Sequence, residues 1–479
     1  MKTHIDFNNV LENIQLFFNN GEFKQRLAQR INYQTESQQL PRPNSLDLYL
    51  KQIIQPELES LGFKVTLIEN PILENCPFLI AERCEDPALP TVLCYGHGDV
   101  VFGDTANWRE GLEPWQLIEE NDRYYGRGTA DNKGQHTINF AALEQVYIAR
   151  GKKLGFNCKV LFEMGEEISS PGLAMIAEQY KEQLKADLFI ASDGPRLSAD
   201  KPTLFLGSRG CANFKLTINS RDQSYHSGNW GGLLSNPATQ LANAIACLVD
   251  KRGRILVNGL KPPAISLTIR EILSNIEPTN EINDPKIDLN WGEPDLTPAE
   301  RLFAWNSLEV LAFTAGNPAK PINAIPPNAS AICQLRFVVG TDTQNIIHYL
   351  EEHLKQHGFD NIQIEICGIT AATRFDPTDP LVNWALSNIQ KATDKKPTLL
   401  PNLGGSLPND VFADILGLPT LWIPHSYPAC GQHSVNEHML KTIAYEGLNI
   451  MTHLFWSLGE QGLELLQQHK YHQQHHAEK

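Results

Sequence analysis

The 479-residue sequence has no apolar run approaching the roughly 18–20 residues of a membrane-spanning helix. It has no C-x-x-C pair. Nine cysteines lie scattered at 76, 84, 94, 158, 211, 247, 333, 367 and 430, so zinc-ribbon and thioredoxin motifs are excluded. Several sit in apolar runs, where a reduced thiol acts as a small hydrophobe. Glycine and proline, 33 and 30 residues, are too few for a low-complexity or collagen-like chain. Positive charge is short as well: 40 Lys and Arg face 55 Asp and Glu, a formal net charge of −15. Such a surface repels phosphate backbones and anionic lipid heads, which argues against nucleic-acid and membrane partners. No internal repeat is present. The start, Met1 to Asn20, carries Asp6 and Glu12 and lacks the charge-then-apolar order of a signal peptide. These absences predict a cytoplasmic, globular protein of two or three domains.

What is present has the texture of an α/β chain. The runs Thr91–Tyr95, Cys158–Phe162 and Leu188–Ala191 read as buried strands, and 135–150 as an amphipathic helix closed by Gly151. Apolar strands separated by helices imply a mostly parallel sheet, whose ligands gather where strands give way to loops. After about Gly207, Asn213–Asn219 and Ala331–Phe337 alternate apolar and polar residues, with helices expected over Pro237–Leu248 and Thr343–His357. The α/β texture returns near Asp376, with a helix near 380–392 and a strand at Pro419–Ile423. The expected organisation is one domain from 1–206 and 373–479, with a smaller α+β domain, 207–372, inserted into it. Within the insert, 275–300 carries four prolines among seven acidic residues and reads as a long surface excursion. The tail holds four of the fifteen histidines and is expected to fray rather than bind metal.

Five clusters place acidic or imidazole groups at strand ends: His97-Gly98-Asp99, Gly126 to Asp131, Glu163 to Glu167, Ser192-Asp193-Gly194, and Gly431 to Ser434. Each alone is weak, since an Asp beside Gly usually shapes a turn. Two histidines and three of their carboxylates are the inventory two zinc-like ions require if one carboxylate bridges them. Two divalent ions against three carboxylates leave one positive charge, which a bound hydroxide neutralises. Glu166 and Glu167 diverge as successive side chains, so one can ligate while the other receives a proton. Asp99 is placed to hydrogen-bond a His97 nitrogen and hold its tautomer.

The clusters, their order and their spacing resemble the M20 metallopeptidases and, within that family, the carnosinase-like cytosolic dipeptidases. The resemblance runs from about 90 to 456 and rests on GRGTADNKG (126–134), GSRG (207–210), RDQSYHSGNWGG (221–232) and QHSVNEHM (432–439). It implies a zinc-peptidase catalytic domain with an inserted lid that mediates a homodimer. It implies two zinc ions per subunit, with manganese or cobalt as substitutes: His97 and Asp193 on one, Glu167 and His433 on the other, and Asp131 bridging. Glu166 would be the general base. His226 would reach a partner's active site, Asn323 matches a lid position, and Arg336 with Ser406 and Gly405 would bind the substrate's C-terminal carboxylate. The implied reaction is hydrolysis of a dipeptide by a metal-bridging hydroxide.

The match departs from the close dipeptidases at two places. Leu403 stands where they carry an acidic residue before Gly-Gly-Ser, and Gly194-Pro195 follows Asp193 where they have Asn and an aromatic. Both lie where a free amino end would be read, which admits an N-acyl amino acid substrate as the alternative. A catalytically dead binding protein would have lost a ligand or the base, and all six positions are filled. GRGTADNKG is no phosphate loop, because Asp131 replaces the third glycine and would repel phosphate. GGSLP fails the nucleophile-elbow pattern at both flanks.

Overall fold

The seven residues Thr91–His97 turn Val92 and Cys94 toward one core and Leu93 and Tyr95 toward another, and all four are buried. Leu188–Ala191 does the same, with Leu188 and Ile190 on one side and Phe189 and Ala191 on the other. A strand with apolar partners on both faces belongs inside a helix-covered sheet. The computed structural model describes residues 7–278 and 285–476; residues 279–284 of the acidic excursion and the last three of the tail lie outside that range.

In chain order the strands are β1 (Lys64–Ile68), β2 (Phe78–Arg83), β3 (Thr91–His97), β4 (Ile118–Glu120), β5 (Arg123–Tyr125), β6 (Asn157–Glu163), β7 (Leu188–Ala191) and β8 (Thr203–Phe205). The inserted stretch adds β9 (Gly210–Asn219), β10 (Tyr225–His226), β11 (Ser307–Thr314), β12 (Ala324–Ile325), β13 (Asn328–Phe337) and β14 (Gln363–Thr370). The returning chain supplies β15 (Thr398–Leu400), β16 (Thr420–Trp422) and β17 (His438–Leu440). Eight strands form one sheet in the order β1-β2-β6-β3-β7-β16-β8-β15. Its centre, β6-β3-β7-β16, is parallel, and β15 runs parallel to β8. Antiparallel pairs occur at β1-β2, β2-β6 and β16-β8. The chain therefore leaves this sheet after Phe205 and re-enters it at Thr398, beside the strand it left.

The insert builds its own antiparallel sheet, β11-β13-β9-β14. The helices Pro237–Leu248 and Ile346–Gln356 cover one face, burying Leu241, Leu248, Leu350 and Leu354 against Phe214, Leu216 and Leu335. The alternation expected of Asn213–Asn219 and Ala331–Phe337 is present, one face buried and the other partly exposed.

Three expectations need correction. The helix Lys133–Ala149 is not amphipathic: Lys133, Gln135, His136, Thr137 and Asn139 are buried along with its apolar residues, while Ile148 is exposed. Its polar groups find partners inside the protein: Lys133 donates to the Arg30 and Tyr33 carbonyls, His136 pairs with Tyr49 and Asn139 with Ser192. The excursion is only partly a surface feature. Thr297 caps a short helix, Pro298–Phe303, through a capping box with Glu300, and Ala299 and Phe303 join the core of the large sheet. The tail does not fray over its described residues. It extends the helix Lys441–His476, with the His469 ring 2.7 Å from Asp379 and the His472 ring 3.0 Å from Asp376. No helix among the described residues is long and apolar enough to cross a membrane.

Candidate active site

The three adjacent parallel strands β6, β3 and β7 end at Glu163, His97 and Ala191, so their following loops open on one edge of the sheet. β3 presents His97 itself. The loop after β6 makes a tight turn, Glu166–Ile168, and the loop after β7 presents Asp193. Asp131 stands two residues ahead of the helix Lys133–Ala149, and the Asp131–Asn132 peptide is cis. That helix starts so close to the preceding loop that a Cβ on Gly134 would lie 1.9 Å from the Thr129 carbonyl oxygen. His433 comes from the β16–β17 loop, on the far side of the lid insertion in sequence.

These residues meet in two overlapping sets, His97–Asp131–Asp193 and Asp131–Glu167–His433, the ligand atoms of each lying within 4.8 Å of one another. Asp131 serves both. Its Oδ1 is 3.1 Å from His97 Nε2 and its Oδ2 is 3.0 Å from His433 Nε2. His433 Nε2 is also 3.0 Å from Glu167 Oε2, and His97 Nε2 is 3.4 Å from Asp193 Oδ2. Glu166 stands just outside, its Oε2 3.9 Å from His97 Nε2. The His97 Nδ1–H donates to the Asp99 backbone carbonyl at 3.1 Å, with the Asp99 carboxylate 3.4 Å away. That carboxylate is occupied otherwise: it accepts from the backbone N–H groups of Glu166 and Glu167, each at 3.1 Å. Asp99 thus ties the turn carrying both glutamates to the His97 loop.

The charges suit a cation here. With Nδ1 donating to a carbonyl, a neutral His97 aims its Nε2 lone pair at two carboxylates. Burial opposes charge on the His97 ring, but Asp131, Asp193 and Asp99 outweigh it and the net shift is upward. Hydrogen bonds to Asp131 and Glu167 push His433 up to about 11. Burial, reinforced by the charge of Asp131, pushes Glu167 up to about 8 and raises Asp193. Burial also drives Glu166 well above the usual carboxylate range, helped by Asp193 and Glu167. Asp131 goes the other way: burial is overcome by His433 and His97, which hold it below the ordinary range. Glu167 Oε1 and Asp193 Oδ2 are buried and accept no hydrogen bond. A pair of imidazoles and three carboxylates with orphaned oxygens fits divalent cations, and Asp131 can be shared between them.

Sequence reasoning missed Glu437, which organises the loop bearing Asp131. Its Oε1 accepts from the N–H groups of Ala130 (2.8 Å) and Asp131 (3.1 Å), and its Oε2 from Gly128 N–H (3.0 Å) and Arg127 (2.8 Å). Glu437 and Arg127 are both buried. The available signal was a Glu in QHSVNEHM, four residues beyond His433, where charge has no reason to be buried unless paired. Gln432 also donates to Asp131 Oδ2.

The residues expected to bind the substrate carboxylate and to act from the inserted domain divide. Arg336 Nη1 donates to Ser406 Oγ at 2.7 Å, and Ser406 in turn donates to the Arg209 carbonyl at 2.7 Å. Among the described residues no carboxylate forms an ion pair with Arg336 or with Arg209. Burial, then the neighbouring Arg336, pushes Arg209 down to about 10. Gly405 and Ser406 line a cavity of about 440 Å³ whose wall also includes Asp131, Glu166, Asp193 and His433. His226 and Asn323 are not in that wall. His226 is exposed on the lid, its Nδ1 accepting from Gly228 N–H at 3.1 Å, and the Asn323 carbonyl accepts from Ser227 N–H at 2.9 Å.

An α/β domain that gathers imidazoles and carboxylates at the ends of its parallel strands has the arrangement of a metal-dependent hydrolase. Comparison with known families matches residues 93–457 to peptidase family M20/M25/M40. The chain belongs to that family and is a metallopeptidase. It is 27% identical over 369 residues to the Cysteinylglycine-S-conjugate dipeptidase of Corynebacterium striatum, spanning 74% of this chain and 77% of that one. It is 26% identical over 479 residues to the Beta-Ala-His dipeptidase of Mus musculus, covering 94% of both. An M20 family metallo-carboxypeptidase from Sulfolobus solfataricus superposes with a TM-score of 0.77 at 25% identity, over 91% of this chain and 99% of that one. Human carnosine dipeptidase 1 shares the fold, with a TM-score of 0.73 at 24% identity over 95% and 98% of the two chains.

Proposed function

We propose that this protein hydrolyses the amide bond of small substrates that carry a free C-terminal carboxylate, dipeptides first among them. The observation that carries this reading is that Ser406, in the wall of the cavity that also holds Asp131, Glu166, Asp193 and His433, accepts from Arg336, which among the described residues has no carboxylate partner. His97, Asp131 and Asp193 would hold one ion and Asp131, Glu167 and His433 the other, zinc first, with manganese or cobalt as substitutes. Bound there, such ions supply Lewis acidity and an activated water at neutral pH. Glu166, which stands beside the cluster without joining either ligand set, takes the water's proton and returns it to the leaving nitrogen. Asp99 keeps Glu166 and Glu167 in register with His97. Arg336 offers a charged fork for the substrate carboxylate, which fixes the scissile bond one residue away.

The test is one panel, assayed with zinc or manganese, that pairs each dipeptide with its N-acetyl amino-acid counterpart and with its C-terminal amide. Dipeptides should be the better substrates. Amidation and Arg336→Ala should each lower kcat/KM by about 10²–10³, chiefly through KM. A preference for the blocked series would turn the assignment to an N-acyl-amino-acid amidohydrolase. That second reading is favoured by one observation, the apolar contact of Leu403 with Gly194 in the cavity wall. Indifference to both amidation and Arg336→Ala would refute the exopeptidase reading.

The same proposal makes the protein a cytoplasmic homodimer through its lid, with His226 of one subunit stabilising the oxyanion in the other. Supporting this are the exposure of His226 and an edge strand, β11, with Val310, Leu311 and Phe313 exposed. All nine cysteines are unpaired, as a reducing compartment requires. Mixing inactive His226→Ala and Glu166→Ala proteins should recover part of the activity, because one heterodimer site would hold both intact residues. No recovery after verified subunit exchange counts against action in trans.

A further inference from the structure

The cavity beside the cation site has one wall that the proposed chemistry does not use. Leu197, Leu302, Phe303, Leu400, Leu403 and Leu407 line it, from three separate segments of the chain. Leu400 ends β15, and Leu302 and Phe303 come from the Pro298–Phe303 helix of the inserted stretch. Leu403 is pinned through its backbone, its N–H donating to the Gly207 carbonyl at 2.8 Å and its carbonyl accepting from Arg209 N–H at 3.1 Å. Its side chain packs on Gly194, the residue after Asp193. A Cβ on Gly194 would lie 3.1 Å from Leu403 Cδ2, and the positive φ of Gly194 (65°) disfavours any other residue. The wall is therefore built up to the edge of the cation site.

Charge is missing from it. Apart from the cluster residues and Glu166, the charged side chain on the cavity wall is Arg196, already committed to Glu446 and to the Pro424 carbonyl at 3.2 Å. A guanidinium repels an ammonium, and the cluster carboxylates are committed to cations. The substrate carboxylate is accounted for at Arg336 and Ser406, and the amide at the cluster. What remains for the apolar wall is the group on the carbonyl side of the scissile bond.

Resting on the proposed function, we infer that this wall is a specificity subsite that selects substrates with an aliphatic or aromatic group on the carbonyl side of the cleaved amide. The ligand is a leucine- or phenylalanine-sized hydrocarbon, carried either by an amino-terminal residue or by an acyl chain. Transfer of such a group from water to an apolar wall favours it over hydrogen ten- to a hundredfold.

The experiment uses two series on the metal-loaded protein, Gly-Ser, Ala-Ser, Leu-Ser and Phe-Ser, and N-acetyl-Ser against N-(4-methylpentanoyl)-Ser. Each is read as kcat/KM and, separately, as a dissociation constant on Glu166→Gln protein. The expected result is at least a tenfold gain from the smallest to the leucine-sized group, lost largely in Leu403→Asn and reduced in Leu302→Ala. A gain confined to the peptides assigns a side chain as the occupant, one confined to the acyl series assigns an acyl chain, and either upholds the subsite. Equal or better handling of Gly-Ser and N-acetyl-Ser overturns it, as does a size preference that Leu403→Asn and Leu302→Ala leave intact. If no member is turned over, the proposed hydrolase activity fails, while the binding series still decides the subsite.

Discussion

Glu166→Gln protein is expected to turn over its best dipeptide about 10²–10⁴ times more slowly than the unmodified protein, with KM, metal content and melting temperature little changed. The substitution is isosteric and removes the one property the reaction needs, a carboxylate able to accept and return a proton. Glu166 is suited to this role by position: it lines the cavity, stands 3.9 Å from His97 Nε2 and belongs to neither ligand set. Its attachment to Asp99 runs through its backbone N–H, so the Gln variant keeps the turn intact. Burial and the charges of Asp193 and Glu167 raise its proton affinity above that of an ordinary carboxylate, the direction that suits a base which must later act as an acid. Steady-state kinetics alongside metal analysis decide the matter. A kcat within tenfold of the unmodified value would remove Glu166 from the mechanism and reopen the possibility of a binding protein on a peptidase fold.

Chelation is the second large effect. Stripping divalent ions should abolish hydrolysis, lower the melting temperature and be reversed by zinc or manganese. A ligand held at a hundred times its dissociation constant adds about 2.7 kcal/mol to folding stability. The pH dependence has a definite sign. In the metal-free fold Glu167 titrates near 8 and His433 near 11, both above their ordinary values. A group whose proton affinity is raised by folding stabilises fully below its unfolded pKa and loses that contribution as pH climbs through the folded one. For Glu167 the loss falls between about 4 and 8, and for His433 above about 6.5. Metal-free protein should therefore lose stability as pH rises through this window. Loaded protein should not, because cations replace the protons, and metal affinity should itself increase with pH as those protons are displaced. Melting curves with and without chelator, from pH 5.5 to 8.5, should diverge steadily. Parallel curves, or a chelator without effect on activity, would contradict the cation site.

The candidate ligand residues were legible because the chemistry leaves few choices. Buried parallel strands announce themselves as apolar runs, and a His or Asp just beyond such a run has no packing reason to be there. His97, Asp131, Glu167, Asp193 and His433 could be grouped from that rule and from a recurring family pattern, and the fold brings those five side chains within hydrogen-bonding reach. The inserted α+β unit was readable for the same reason, since a shift from continuous to alternating hydrophobicity marks a change from a doubly covered sheet to one with a solvated face.

Three-dimensional packing decided the rest. Glu437, four residues past His433, looks like any surface acid until its carboxylate is found accepting four hydrogen bonds beneath Asp131. The tail looks too polar to order, yet His469 and His472 meet Asp379 and Asp376, 90 and 96 positions earlier, and the helix continues. Leu403, Gly194 and Phe303 are far apart in the chain and individually unremarkable, and only their convergence makes an apolar wall beside the clustered carboxylates. The division follows from range. Periodicity and composition record what each residue needs from its immediate neighbours, burial or water. Which distant partner satisfies that need is set by how sheets and helices pack, and no local pattern encodes it.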